Sequence, residues 1–150
     1  MKGSALGAPT EEDLDIMVSI AIRRAELLVD IKSPLSLDAW HEVMAYEEQL
    51  ACITQPNEIA GGVARAGAVM AALAAGRRSD AQRLATEYLS GNTLPVERRQ
   101  VIEGALAEDA KRLAKHFPSL TSRHRIGWVA ELDLWRSRVR ATPHVFPCPA

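Results

Sequence analysis

The stretch that most constrains this chain is residues 61–76, "GGVARAGAVMAALAAG", almost entirely Ala and Gly around one charge, Arg65. Four uses of such a run can be weighed. A membrane span needs about 20 predominantly apolar residues, whereas the run from Ile59 to Ala75 is 17 long with Arg65 near its middle. A phosphate loop of the Walker type needs a Lys-Ser/Thr after its glycines, and Gly61, Gly62 and Gly67 are followed by none. A DNA-reading helix-turn-helix needs polar side chains that reach base edges, and "AVMAALAAG" supplies none. What remains is packing. Small residues at Ala60, Ala64, Gly67, Ala68, Ala71 and Ala75 let a second helix backbone come close. That benefit offsets the roughly 0.5–1 kcal/mol each interior Gly costs relative to Ala. The stretch reads as the middle of a helix bundle.

The rest of the chain agrees with helices. Its 150 residues suit a single domain, residues 1–150, and the 47 % apolar and 25 % charged fractions are those of a globular protein. Aromatics make up only 5 %, and Ala and Leu favour helix over strand. Thr10 with Asp13 resembles a capping box, with Asp in place of the usual Glu or Gln. A helix from there to about Lys32 carries two apolar stripes: Leu14, Met17, Val18, Ala21, Ala25 and Leu28, and separately Ile16, Ile20, Leu27 and Ile31. A helix apolar over so much of its circumference is either central to a core or shared with a second subunit. Ser36 is expected to cap a second helix to about Thr54, Asn57 the opening stretch, and Ser79 a fourth helix. Gly76 is expected to end the third in a left-handed cap, and Pro95 to open a fifth. A sixth helix is expected over roughly 120–140. Residues 1–9 are expected to be flexible, and the Pro-rich residues 141–150 to form an extended tail. The fold class that follows is all-α: a compact bundle of about six antiparallel helices.

Residues 74–95, "AAGRRSDAQRLATEYLSGNTLP", resemble the second half of a tetratricopeptide repeat, with a Gly-containing turn, Ala81, Ala85 and a later Pro. The first-helix positions of that repeat are not filled, and no second copy recurs. The resemblance implies a helical-hairpin scaffold that binds other proteins. Arg138 and His144 fit the Arg-x5-His spacing of the HEPN domains, a family of small helical RNases, although Pro143 stands between them. That resemblance implies an imidazole and a guanidinium serving phosphate chemistry.

Other catalytic patterns are incomplete. "HEVMA", residues 41–45, starts like a zinc protease helix but has Ala45 where the second His belongs. Asp38 and His41 share a helical face with no second such pair, so they read as a solvated surface. Cys52 reads as core and Cys148 as an exposed thiol; the two form no CxxC pair. Neither a metal nor a cofactor is expected.

Charge is unevenly spread. Residues 1–60 hold four Lys/Arg against eleven Asp/Glu, and residues 111–150 hold eight against two. Within the latter, "SRHRIGWVAELDLWRSRVR" combines Arg123, Arg125, Arg136, Arg138 and Arg140 with Trp128 and Trp135. These seven residues are the expected partner-binding set. They can contact another protein, or stack bases and pair phosphates of a nucleic acid; alternatively the tryptophans dock into the bundle and the arginines meet the acidic N-terminal helix. The functional expectation is a non-catalytic protein-protein interaction module, an adaptor, chaperone-like or regulatory protein that forms a homodimer through its first helix. Nucleic-acid binding through the basic helix is the alternative, and a small helical RNase a third reading. Arg outnumbers Lys 14 to 4, a bacterial habit of codon use, and with no leader-like apolar run at its start the chain is expected in the cytoplasm.

Overall fold

The computed structural model describes residues 8–116, and within them the fold is all-helical and compact. Five helices follow one another: α1 (Glu11–Asp30), α2 (Ser36–Ile53), α3 (Ile59–Ala74), α4 (Arg78–Ser90) and α5 (Val96–His116). The segments expected as a sixth helix and an extended tail, and all but the end of the expected flexible N-terminus, lie outside the described residues. No described helix is long and apolar enough to cross a membrane.

Capping explains several of the boundaries. Thr10 and Asp13 form the full reciprocal box: the Asp13 N–H donates to Thr10 Oγ1 at 3.2 Å and the Thr10 N–H donates to Asp13 Oδ2 at 3.0 Å. The α1 terminus is a Schellman motif built on Lys32, whose φ of 54° is left-handed. Ser33 N–H donates to the Leu28 carbonyl and Lys32 N–H to that of Val29. Gly76, φ 72°, closes α3 in the same way, with Arg77 N–H on Ala72 and Gly76 N–H on Leu73. The three other expected caps are not used. Ser36 is the first residue of α2, the N-cap of α3 is Glu58 rather than Asn57, and that of α4 is Arg77 rather than Ser79; none of these helices has a side-chain cap. Each begins a residue or two away from the polar side chain that marked it.

The glycine-rich helix is the centre of the molecule. α3 packs closely against α2, α4 and α5, whereas the backbone of α1 comes as close only to α2 and α1 meets α3 through side chains such as Leu14 beside Ala64. Ala64, Ala68, Val69 and Ala72 of α3 are fully buried. The glycines allow specific close approaches. A Cβ on Gly61 would overlap the Gln55 carbonyl oxygen, and one on Gly67 would overlap the carboxylate of Glu47. Arg65, the lone charge of the stretch, reaches out of α3 to the end of α2. Its Nη2 donates to the carbonyls of Ala51 (2.7 Å) and Thr54 (3.2 Å), its Nη1 to that of Gly61 (2.9 Å), and the guanidinium lies over the Tyr88 ring. It thereby satisfies helix-end carbonyls that would otherwise need water.

Contacts fix how the helices lie. Leu14 clusters with Leu50 and Ala51, and Arg24 pairs with Glu42, so the start of α1 lies by the end of α2. Ala81 and Leu84 of α4 are fully buried against α3. Gly62, near the start of α3, lies beside Pro95 and Arg98 at the start of α5, and Asp109 of α5 pairs with Arg78 just past the end of α3. α3 and α5 therefore run in the same sense, and the expectation of antiparallel neighbours does not extend to them.

Candidate functional site

Two features of α1 stand out, one on each side of the helix. The stripe Leu14, Val18, Ala21 and Ala25 is buried against α2 and α3. The second stripe, Ile16, Ile20, Leu27 and Ile31, faces away from the bundle and is 52–65 % exposed. Its members recur at helical spacing along most of the helix, about 30 Å for 20 residues. Met17 flanks them, and Arg23 lies among them at the angular position of a seam residue. Arg24, beside the row, is paired with Glu42 of α2 at 2.8 Å. Single exposed apolar residues are ordinary; an aligned row of four along one helix makes a contiguous apolar patch.

On its inner flank α1 borders a groove of about 670 Å³ shared with α2 and α3. Val18, Ile22, Leu50 and Val63 supply apolar wall, and Glu11, Glu12 and Asp15 supply acidic rim. At its base is Glu47, only 5 % exposed. Glu47 stands in the apolar stripe of α2, one turn from Val43 and one from Leu50 and Ala51, all buried. Its carboxylate fits because Gly67 across from it has no Cβ. No side chain among the described residues hydrogen-bonds to it. Burial, reinforced by the negative charge of Asp15, raises its pKa to about 7. The groove lining contains no Lys, Arg or His.

The seven residues expected to contact a partner, Arg123, Arg125, Trp128, Trp135, Arg136, Arg138 and Arg140, lie outside the described residues, as do His144 and Cys148. Asp38 and His41 are exposed on α2, as their reading as a solvated face requires. No group of three or more His, Cys, Asp or Glu that could hold a metal is present among the described residues. Cys52 is a correction: it is exposed, not in the core, and it is not a free thiol. Its helical position points it away from the stripe that Leu50 and Ala51 bury. Sequence reasoning missed Glu47 altogether. The signal was there, an acid at core spacing between Val43 and Leu50, opposite a helix of small residues.

No family model matches the chain, and no curated protein or solved structure matches it.

Proposed function

We propose that the chain is a non-catalytic helical interaction module that associates with a second copy of itself through the outer face of α1. The observation that carries this is the exposed row Ile16, Ile20, Leu27 and Ile31. The row is self-complementary. Laid antiparallel to itself about a twofold axis between Arg23 and Arg24, it sets Ile16 opposite Ile31 of the second copy and Ile20 opposite Leu27 of the second copy. A twofold interface requires that reciprocity, with each contact occurring twice. Arg24 is drawn aside by Glu42, and the aliphatic stem of Arg23 can cover the seam while its head stays in water. The buried stripe of the same helix anchors it to the bundle, so the interface is presented on a rigid element rather than on a loop.

The register gives a sharp test. Ile20→Glu and Leu27→Lys each place a charge against an apolar side chain twice in a self-pair, so each variant alone sediments as a monomer. An equimolar mixture places the new Glu against the new Lys across one seam and restores a dimer. A mixture that stays monomeric, or single variants that still dimerise, would refute the register and the surface together.

A further inference from the structure

The groove between α1, α2 and α3 is acidic and has no cation among its lining residues. Three rim carboxylates and one buried carboxylate converge on it, and none of its lining residues is basic. Glu47 is the informative member. It is nine-tenths buried and accepts a hydrogen bond from no described side chain, yet no buried side-chain oxygen is left orphaned among the described residues, so its carboxylate opens onto the groove. Donors on neighbouring helices are already engaged: Arg24 by Glu42, Arg65 by carbonyls, and Arg83 by Glu48. The walls beside Glu47 are apolar, so the fitting occupant pairs a guanidinium with a large apolar side chain.

We propose that the occupant is the chain's own Arg- and Trp-bearing segment, residues 123–140, with one of its guanidinium groups set against Glu47. Charge complementarity points there. Residues 117–150 hold five arginines against two acidic residues, and residues 1–60 carry the excess of acid. Composition agrees, because Trp128, Trp135, Leu132 and Val139 accompany those arginines and suit walls of Val18, Ile22, Leu50 and Val63. Reach is sufficient. α5 pairs with the start of α4 at Asp109 and runs on to His116, while the groove adjoins the first half of α3. That offset is roughly the length of α3 plus the two turns by which α5 runs on past Asp109, about 35 Å in all. The twenty residues from His116 to Arg136 can reach about 65 Å when extended. A groove occupied in this way closes the bundle on itself by joining its two oppositely charged ends. This site lies on the inner flank of α1 and does not depend on the outer-face dimer.

Hydrogen-exchange mass spectrometry on the full chain tests it. Peptides covering residues 123–140 are expected to exchange more slowly than a free peptide of the same sequence. Glu47→Gln, which keeps the shape but removes the charge, is expected to speed their exchange roughly tenfold or more, as loss of a charge-assisted contact should. Glu12→Lys on the exposed rim tests the same contact where Glu47→Gln fails to fold, and it should act in the same direction. Added salt should also speed exchange, and Ile20→Glu should leave it unchanged. Free-peptide exchange rates in the unaltered chain would overturn the proposal. So would protection indifferent to Glu47, Glu12 and salt, as expected if the segment packs elsewhere, for example along α5. Protection that disappears on dilution would assign the occupant to a second copy and overturn it likewise.

Discussion

Glycine plays opposite parts at different positions of this chain, and the surroundings decide which. At Gly61 an added Cβ would run into the Gln55 carbonyl oxygen, a backbone atom that cannot swing away. At Gly104, on the open side of α5, the same atom would meet nothing within 4 Å. Gly61→Ala is therefore expected to destabilise the fold by about 1–3 kcal/mol, as overpacking does. Gly104→Ala is expected to stabilise it by about 0.5–1 kcal/mol through lower backbone entropy in the unfolded chain. Denaturant unfolding of the two variants checks both signs. The sequence already marked the glycines of residues 61–76 as sites of close approach, because three of them in an alanine helix have no other economical explanation. It did not reveal which atoms come close. Gly67 makes room for Glu47, a residue twenty positions earlier, and only the pairing of α2 with α3 discloses that. Cys52 was misjudged for a related reason: its apolar neighbours in sequence said little about which way it points.

Between helices, a few arginines carry the polar contacts. Arg65 spans from α3 to the terminal carbonyls of α2 and rests on Tyr88 of α4. Arg65→Ala is expected to cost about 2 kcal/mol, since hydrogen bonds from a charged donor to partly buried carbonyls are lost together. Faster amide exchange confined to the last turn of α2 would show where the loss falls. At the α4–α5 junction Asp109, with 7 % of its side chain exposed, accepts from Arg78 at 2.7 Å and Arg112 at 2.7 Å. Burial pushes its carboxyl up, but the hydrogen bonds from the two arginines outweigh this and hold its pKa below the usual 3.8. A lowered native pKa means that the unfolded chain takes up the proton first as pH falls. The pair's contribution is thus complete above about pH 5 and is lost as pH drops through the native value. Asp109→Asn is expected to lose about 1–2 kcal/mol at neutral pH, the exposed arginines being screened, and to show a flatter acid limb in thermal melts. Helix order and the Thr10 and Gly76 caps were legible, because their side-chain and backbone requirements are local. The starts of α2, α3 and α4 were not, because those helices leave Ser36, Asn57 and Ser79 unused as caps. The parallel course of α3 and α5 was hidden as well: helix length and loop length do not say which non-consecutive helices meet.

At the scale of the molecule, one helix of small residues draws three others close, and α1 is left on the rim with an apolar row facing outward. The two stripes of α1 were visible in the sequence, and so was the charge contrast between the ends of the chain. The groove and the buried Glu47 were not, since both arise only where α1, α2 and α3 come together. Those features give α1 two sides: the inner one holds the bundle and flanks the acidic groove, and the outer one, left exposed, is the proposed self-association face. The most direct test of that outer role is the mass of the unaltered chain by sedimentation equilibrium over a micromolar concentration series. Twice the monomer mass, reduced to the monomer mass by Ile20→Glu with helical content intact, is the expected result. A monomer throughout the series would contradict the account.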